Sequence, residues 1–401
     1  MKKILFLSYN YPNGAFGAST LCSTRIMSEL CKTGEYEVHC ISYDTNKEPV
    51  YDIIEGVVCH TIPLRLKQQS RWGKLWQVLA LPFYPINNLC YDYKHYLACR
   101  EICKREKFDL VVSQYYSEQN LISGVLLRKN GYIDNLAVVF WDNLYGKLPR
   151  RIIPKWWALH RQRIVENIVA KYSDTLISLY PIKEFHDTYG DVPNATGKRF
   201  YLGIPSVQSP LPPQDTPYDY VVKKDKINIL FSGSIIRKDY IHYIVDVLNE
   251  IDRAVDINLI FFSQGMSEVD FNEMQSVFKG TIINHAYIPN RCLQSLYHRV
   301  DICLSVTGYS DAIRSKCFEY ISYGCPLLLV YGEDKDVNVD TFSKYPNSIA
   351  IDSRLSIKEN VLRLDKYIEC KICKRVEYST VEEIFRLDTA KAYVELLSKR
   401  I

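Results

Sequence analysis

Side chains that could bind a polar ligand recur in one short stretch of the chain. Asp311, Ser315 and Glu319 follow one another at intervals of four residues, so on a helix they lie on or near one face. Hydrogen-bond donors and acceptors can then point together into a cleft. The surrounding residues 305–332 predict a loop, a short helix, a Gly-Pro stop and a buried strand. This is how an α/β sheet builds a ligand site at its rim.

The ends of this helix have their own signals. Ser310 or Asp311 is expected to cap its start, because a short side-chain oxygen accepts a bond from an unpaired first-turn amide. Gly324 permits a left-handed turn at its end, and Pro326 prevents the helix from continuing. The alternative to a ligand site is an ordinary amphipathic helix with an aspartate cap and a solvated Glu319.

A second polar set follows the predicted strand Lys226–Ser232. Gly233 stands at the strand end, and Arg237 and Lys238 come just beyond it. Fixed cations at such a position can hold a diphosphate and stabilise the charge that builds on it as it leaves. A solvated basic turn is the alternative interpretation.

The string SKCFEYISYGCPLLL, with Asp311 and Glu319 separated by seven residues, resembles the donor-sugar motif of retaining GT-B glycosyltransferases of the family 4 type. That family usually has Glu at both ends of the motif, and here the first is the shorter Asp311. The resemblance implies a ribose contact for Glu319 and a sugar contact for Asp311. It also places Ser315 and Lys316 in the donor site.

The resemblance extends to the loop after the strand Lys226–Ser232. The family has an Arg and a Lys in this loop. Lys238 matches the Lys, Ser234 stands where the Arg is usual, and Arg237, three positions on, is expected to substitute for it. Tyr287 and Ile288 match the loop that contacts the base through its backbone in such enzymes.

The amino end of the chain is similar to the acceptor domain of the same family. The predicted strand Lys3–Ser8 leads into a loop in which Gly14 and Gly17 let the backbone approach a ligand closely. The following helix, Ser19–Lys32, points its amino end at the same place, and the free amides there favour an anion. A plain strand-to-helix turn is the alternative.

The family commonly has a His after a strand near the reaction centre, and this chain departs from that pattern. Trp141 stands at that place, with Asp142 beside it. Asp142 could orient the acceptor or the donor sugar. A helix or turn cap explains it equally well.

Length and composition describe a folded protein of two domains. At 401 residues the chain exceeds one ordinary core. A hydrophobic fraction of 47% with 24% charged residues excludes disorder, and a net charge of +4 is too small to argue for nucleic acid. Thirteen scattered cysteines are typical of reduced thiols in a cytosolic protein.

The predicted fold class is α/β, with two facing Rossmann-like domains (the GT-B fold) and a C-terminal helix that crosses back. Strands alternate with helical stretches in both halves, which indicates parallel, doubly wound sheets. The expected segments are an N-terminal acceptor domain (1–204), a proline-rich linker (205–226), a C-terminal donor domain (227–375) and a crossover helix (376–401). A capping box, Thr380-x-x-Glu383, is predicted to open the last segment.

Two stretches, Arg65–Tyr84 and Lys147–Arg163, mix basic residues with four of the five tryptophans. This mixture suits a surface that lies on anionic lipid without spanning it. An ordinary helix with a solvated basic face and aromatics in the core is the alternative. Nucleic acid is not an expected partner, because no recognised binding module accompanies the patches.

These observations predict a glycosyltransferase that moves a sugar from a nucleotide-diphosphate sugar to a sugar or lipid-linked acceptor in surface polysaccharide assembly. The resemblance implies retention of anomeric configuration. No cofactor or metal dependence is expected, and Asp334-Lys335-Asp336 is interpreted as structural. A nucleotide-sugar epimerase of the same fold and an inactive nucleotide-binding protein are the alternatives. The expected location is the cytoplasm, with peripheral contact at the inner face of the membrane.

Overall fold

The structure is a computed structural model of the chain, and it describes residues 1–7, 18–43, 55–62, 89–115, 118–141, 154–310, 312–371 and 374–401. These residues form two compact units. One unit contains residues 1–205 and 390–401, and the other contains residues 206–389. Each unit has its own parallel β-sheet and its own hydrophobic core.

The first unit is an α/β unit. Its strands are β1 (Lys2–Leu7), β2 (Tyr36–Tyr43), β3 (Val57–Ile62), β4 (Leu110–Tyr115), β5 (Leu136–Phe140), β6 (Thr175–Leu179) and β7 (Arg199–Leu202). Its helices are α1 (Ala18–Thr33), α2 (Leu89–Arg105), α3 (Glu118–Lys129), α4 (Lys155–Tyr172), α5 (Tyr180–Tyr189) and, at the end of the chain, α13 (Ala390–Ser398). Within the described part of the chain, the sheet has seven parallel strands in the order β3-β2-β1-β4-β5-β6-β7.

The second unit repeats this architecture. Its strands are β8 (Ile227–Ser234), β9 (Ile257–Gln264), β10 (Thr281–His285), β11 (Ile302–Val306), β12 (Leu327–Tyr331) and β13 (Ser348–Asp352). Its helices are α6 (Lys238–Glu250), α7 (Glu268–Val277), α8 (Asn290–Tyr297), α9 (Ser315–Ser322), α10 (Val337–Phe342), α11 (Ile357–Lys371) and α12 (Tyr378–Ile384). Its described residues form a six-stranded parallel sheet in the order β10-β9-β8-β11-β12-β13.

Continuous apolar runs account for the central strands of both sheets. The strands β4, β5, β6 and β11 are buried at every residue. A parallel sheet covered by helices on both faces has no solvated face, so its strands do not alternate between apolar and polar residues. The edge strands β3 and β10 are more exposed.

The strand order reverses beside the first strand of each sheet. β1 pairs with both β2 and β4, and β8 pairs with both β9 and β11. Doubly wound sheets bind ligands at such a point, outside the carboxyl ends of the strands. The loop after β8 is therefore the first position to consider in the second unit. The loop after β1, which contains Gly14 and Gly17, lies outside the described residues.

The proline-rich segment between the sheets lies against the second unit. Prolines lack an amide donor, and several of the remaining amides in this segment bond to side chains instead of to a strand. The Gln208 amide donates to the Ser322 hydroxyl at 3.2 Å, and the Leu211 amide to the Tyr323 hydroxyl at 3.2 Å. The Leu211 carbonyl oxygen lies 2.7 Å from Nε2 of His298. The segment is thus fixed along α8 and α9.

The C-terminal tail returns to the first unit, which confirms the predicted crossing back. α13 belongs to that unit, where the buried Tyr393 donates to the Gly203 carbonyl at 2.7 Å. The Tyr393 ring packs against Trp141 with centroids 5.6 Å apart. The predicted capping box is wrong, because α12 begins after Glu377 without a side-chain cap bond and Thr380 lies inside the helix.

Candidate functional site

The helix that carries the predicted donor motif is α9. It begins at Ser315, with Arg314 in an extended conformation before it and no side-chain cap bond. The expectation that Ser310 or Asp311 caps this helix is therefore wrong. Asp311 itself lies outside the described residues, so its contact with the donor sugar stays a prediction.

The residues that precede α9 are held by Asn338 instead of by a cap. The buried Asn338 accepts a bond from the Arg314 amide at 2.7 Å and donates to the Ala312 carbonyl at 3.1 Å. Asn338 is positioned in turn by Asp336, which caps α10 by accepting from the Asn338 amide at 2.8 Å. The structural interpretation of Asp336 is thus confirmed. Sequence reasoning missed Asn338, and no local signal marks it.

Glu319 lies one turn into α9 with its side chain 2% exposed. Its Oε2 atom is 2.5 Å from the Lys316 ammonium, which also donates to Oδ1 of Asn290 at 3.2 Å. Burying a carboxyl group is costly unless it is paired and hydrogen-bonded, and Lys316 supplies that pairing. The pair places a carboxyl acceptor and an ammonium group next to the amino end of α9.

Tyr320 joins this helix to the end of β8. Its buried hydroxyl accepts from the Ser232 amide at 2.9 Å and donates to the Ser232 carbonyl at 3.2 Å. Burial raises the pKa of the Tyr320 hydroxyl well above its usual value, so this donor stays protonated. The contact fixes the backbone immediately before Gly233, whose φ of +132° is open to glycine and rare for other residues. Tyr320 was also missed as a positioning residue.

Gly324 ends α9 as the sequence predicts. Its φ is +68°, the left-handed region that glycine occupies without penalty. A Cβ atom at this position would lie 2.3 Å from the Val376 carbonyl oxygen. The prediction of a left-handed turn is confirmed, and close backbone packing adds a second reason for glycine.

Arg237 and Lys238 occupy the start of α6, immediately after the β8 loop. Arg237 makes two bonds to Asp239, at 3.0 and 2.7 Å, and its guanidinium lies 4.0 Å from the centre of the Tyr240 ring. Lys238 donates to Oδ2 of Asp270 at 2.8 Å. The bond to Asp239 raises the pKa of Arg237, and the bond from Lys238 lowers the pKa of Asp270.

Both cations are therefore engaged by carboxylates in this structure. The side chains of Arg237 and Lys238 are 35% and 49% exposed, and ion pairs at such positions contribute little free energy. A diphosphate, which carries more charge and more acceptor oxygens than a carboxylate, can compete for both.

The loop after β10 is linked to the end of β8 and begins beside several aromatic rings. The Tyr287 hydroxyl and the Ser234 hydroxyl are 2.9 Å apart, which links this loop to the end of β8. His285 stacks on Phe262, with ring centroids 5.7 Å apart, and its Nε2 is 2.8 Å from the Tyr220 hydroxyl. These contacts fix the carboxyl ends of β9 and β10. Sequence reasoning did not identify His285 or Tyr220.

No protein-family model and no curated protein matches the sequence, but solved structures match nearly the whole chain. A glycosyltransferase from Rickettsia africae matches with a TM-score of 0.65 at 12% identity, over 100% of this chain and 98% of that chain. The UDP-GlcNAc 2-epimerase from Methanocaldococcus jannaschii matches at 0.60 with 16% identity, over 100% of each chain. WaaG, a glycosyltransferase involved in lipopolysaccharide biosynthesis, matches at 0.55 with 13% identity, over 96% of this chain and 95% of that chain. The chain has a GT-B fold.

The GT-B fold is thereby confirmed as the predicted architecture, and the second unit brings part of the predicted donor site together. Lys316 contacts Glu319, and Ser234 contacts Tyr287. Ile288 follows Tyr287 directly and is partly buried. Four predicted site residues lie outside the described part of the chain, namely Gly14, Gly17, Asp142 and Asp311.

The predicted membrane-facing stretches of this GT-B chain are described only in part. Residues 65–84 and 147–153 lie outside the described residues, whereas residues 154–163 are described and form the start of α4. Trp156 is 71% exposed there, and Trp157 is partly buried. None of the described helices combines the length and the apolar character needed to cross a membrane.

Proposed function

We propose that this protein is a glycosyltransferase whose second unit binds a nucleotide-diphosphate sugar. The observation that carries the proposal is the ion pair between the buried Glu319 and the partly exposed Lys316, at the amino end of α9 and beside the carboxyl edge of the sheet. A carboxylate has two oxygens that together accept several hydrogen bonds, so its pairing with Lys316 is compatible with further hydrogen bonds from a ligand. The two hydroxyls of a ribose supply such bonds, and Glu319 accepts them.

The remaining donor residues serve the diphosphate and the base. Lys238 and Arg237, together with the amides of Ser315 and Lys316 at the start of α9, stabilise the diphosphate. When the bond from the anomeric carbon to the phosphate oxygen breaks, the oxygen keeps the electron pair, and these groups lower the cost of that charge. Gly233 allows close backbone approach.

The base and the transferred sugar are assigned from the resemblance. Tyr287 and Ile288 present backbone groups to the base. Asp311 contacts the sugar of the donor, and Asp142 orients the acceptor or that sugar. Gly14 and Gly17, in the first loop, are also assigned to donor binding. The resemblance also supports retention of configuration and a reaction without a metal ion.

Thermal stability tests this donor site directly. A ligand present at about 100 times its dissociation constant adds about 2.7 kcal/mol to the free energy of unfolding. Nucleotide diphosphates should therefore raise the melting temperature. The nucleotide diphosphate that gives the largest shift identifies the preferred base. Absence of a shift with every common nucleotide diphosphate would contradict the proposal.

A lipid-linked acceptor, used in surface polysaccharide assembly on the cytoplasmic side of the membrane, is the second part of the proposal. The basic and tryptophan-rich stretches support it, and so does the exposure of Trp156. Each basic residue near an anionic surface contributes about 1 kcal/mol, so attachment should be peripheral and reversible. Sedimentation with anionic vesicles should fall as salt is raised.

The membrane proposal has its own variant. In this variant Ser replaces the four basic residues of the first stretch, namely Arg65, Lys67, Arg71 and Lys74. The variant should no longer sediment with vesicles and should still bind nucleotide. A wild-type protein that fails to sediment with anionic vesicles at low salt would make a soluble acceptor the better proposal.

A nucleotide-sugar epimerase is the second candidate, favoured by the full-length match to the UDP-GlcNAc 2-epimerase. An epimerase changes the configuration of the sugar in the absence of any acceptor, whereas a transferase releases the nucleotide diphosphate and depends on the acceptor. An inactive binding protein would show the thermal shift and neither reaction. One incubation with nucleotide sugars, with and without acceptors, separates the three.

A further inference from the structure

One arginine at the carboxyl edge of the second sheet has a guanidinium without a partner among the described residues. Arg314 directly precedes α9, and the residue is partly exposed. Its backbone amide donates to Oδ1 of Asn338, but within the described part of the chain its guanidinium forms no hydrogen bond and no ion pair. A guanidinium has five N–H donors and stays charged. The donors of Arg314 are therefore available to water or to a ligand.

Two other partly exposed arginines show the usual arrangement. The Arg128 guanidinium lies 3.4 Å from a carboxylate oxygen of Asp174, and the Arg299 guanidinium lies 3.2 Å from one of Asp215. Charged side chains that are partly removed from water are usually paired in this way. Arg314 is similarly sheltered but lacks a carboxylate from the described residues. It is therefore a candidate for binding an anion from outside the chain.

Arg314 lies where the strand order of the second sheet reverses, beside the paired strands β8 and β11. A Cβ atom on Gly308, in the loop after β11, would lie 2.6 Å from Nη2 of Arg314. The same Cβ atom would lie 2.9 Å from Cδ1 of Ile236, in the loop after β8. The guanidinium therefore stands beside the loops that follow both strands. This is the position at which doubly wound sheets bind ligands.

The structure positions this side chain at both of its ends. At the backbone, Asn338 bonds to the Arg314 amide at 2.7 Å and is itself held by Asp336 at 2.8 Å. At the other end, the missing side chain of Gly308 leaves the space that the guanidinium occupies. A group that is in place before the ligand arrives loses less freedom on binding. This placement suits a binding group better than a mobile surface charge.

We propose that Arg314 is a third cation that binds the diphosphate of the donor, and this inference rests on the proposed function. The planar fork of a guanidinium matches two oxygens of a phosphate group. The amides of Ser315 and Lys316 follow directly at the amino end of α9, where they favour an anion at the same place. Arg314 therefore adds a charged, two-point contact to the groups already assigned to the diphosphate.

Arg314 differs from the two cations after β8 in what it must release. Lys238 has to leave Asp270 before its ammonium can bind a phosphate. Arg237 likewise has to leave Asp239. The Arg314 guanidinium breaks no ion pair with a described residue when it binds a ligand. Removing Arg314 should therefore weaken diphosphate binding at least as much as removing Lys238.

Calorimetry with a nucleoside and its diphosphate tests the assignment, with the base chosen as the one that gives the largest thermal shift in the wild type. Arg314→Gln should weaken diphosphate binding by about 10-fold or more, because charge-assisted bonds to phosphate are lost, and leave nucleoside binding unchanged. Arg314→Lys keeps the charge without the fork and should lose less. Arg253→Gln, which removes an exposed arginine before β9, is the matched control and should bind as the wild type does.

Gly308→Ala supplies a second test that leaves Arg314 itself in the chain. The added methyl group would occupy the space of the guanidinium, so diphosphate affinity should fall in the wild-type background. In the Arg314→Gln background the guanidinium is already gone, and Gly308→Ala should have no further effect. The contact between the new methyl group and Ile236 is present in both backgrounds, so it cancels in this double-mutant cycle.

The outcomes separate this inference from the proposed function. Arg314→Gln without ligand should melt at the temperature of the wild type, because its lost guanidinium bonds to no described residue. Equal diphosphate affinity in the wild type and Arg314→Gln, or equal losses for nucleoside and diphosphate, would overturn the assignment and leave the donor site in place. A wild type that binds no nucleotide diphosphate would instead contradict the proposed function, and this inference with it.

Discussion

The two sheets place their described polar clusters at opposite ends of their strands. In the second unit, Lys238, Tyr287 and Glu319 follow strands and stand at or near the carboxyl edge. In the first unit, the cluster of His39, His60 and Glu106 lies toward the amino ends. The same doubly wound architecture therefore has groups proposed to bind phosphates and hydroxyls at one edge, and a chain of hydrogen bonds and ion pairs at the other.

The two ends also differ in how their groups are held. The loops at the carboxyl edge of the second unit are held by residues outside the predicted donor set: Asn338 fixes the approach to α9 and Tyr320 fixes the end of β8. Rigid support of this kind keeps donor groups in place before a ligand arrives. The cluster of the first unit is held instead by its own members, because Lys3 contacts Glu37 and Glu106 and Glu37 lies 2.9 Å from Nε2 of His39.

Glu319→Ala should have the largest effect on the donor site. Hydrogen bonds to a charged group contribute about 1.5–3 kcal/mol, so loss of the ribose contact should weaken nucleoside and nucleotide binding by about 10- to 100-fold. Calorimetry with a nucleoside and its diphosphate measures both. Glu273→Ala, which removes an exposed carboxylate from α7, is the matched control and should leave binding unchanged. Normal nucleoside affinity in Glu319→Ala would remove the ribose assignment.

Asp311→Asn should distinguish the contact with the donor sugar from the contacts with the nucleotide. The contact is made to the group being transferred, so turnover should fall about 10-fold or more while affinity for the free nucleotide diphosphate stays nearly intact. Steady-state kinetics and calorimetry measure the two quantities. Asp340→Asn, at an exposed position of α10, serves as the control. Unchanged turnover would show that Asp311 has no part in the reaction.

Lys238→Ala should affect only ligands that carry phosphate. Loss of one cation should weaken diphosphate binding by about 10-fold, since hydrogen bonds to charged groups contribute about 1.5–3 kcal/mol, and leave nucleoside binding unchanged. Asp270→Asn should act in the opposite direction, because it frees the ammonium that Asp270 holds at 2.8 Å. Lys226→Ala, at the amino end of β8, is the control. Equal losses for nucleoside and diphosphate would contradict this role.

A pH-dependent effect on stability is expected from Asp92, which is buried at the start of α2. Burial, with a contribution from Glu118, raises the pKa of this carboxyl from 3.8 to about 8. The folded protein then holds a proton that the unfolded chain releases, so the free energy of unfolding falls as pH rises between these values, by up to about 1.4 kcal/mol per unit.

Chemical denaturation at several pH values measures this slope. Asp92→Asn should flatten it, whereas Asp134→Asn, at an exposed position, should preserve it. A slope that is the same in the wild type and in Asp92→Asn would show that the carboxyl is already ionised in the folded protein.

The sequence predicted the strands that form continuous buried runs and missed two of the described edge strands. Apolar runs bounded by turns or prolines predict β6 at Thr175–Leu179 and β12 at Leu327–Tyr331, and both strands begin and end at these residues. β3 and β13 were not predicted, since a short edge strand with partly or fully exposed positions lacks such a run. Local pattern is informative where burial is continuous.

The sequence indicated which residue types could form the candidate site. It did not predict the contacts that position them. Ser310 and Asp311 have the side chains of helix caps, but a contact from Asn338, 24 residues away from Arg314, moves the helix start to Ser315. His39 and His60 are 21 residues apart and meet only through strand register. Contacts of this length leave no local signal in the chain.

Release of nucleotide diphosphate from nucleotide sugars tests the central claim most directly. The protein should be incubated with a panel of nucleotide sugars, with and without sugar and lipid-linked acceptors, and the free nucleotide diphosphate and the products measured. The account predicts acceptor-dependent release for one donor class, reduced in Glu319→Ala and Lys238→Ala and unchanged in Lys226→Ala. Conversion of the sugar without an acceptor, or binding without either reaction across the panel, would contradict it.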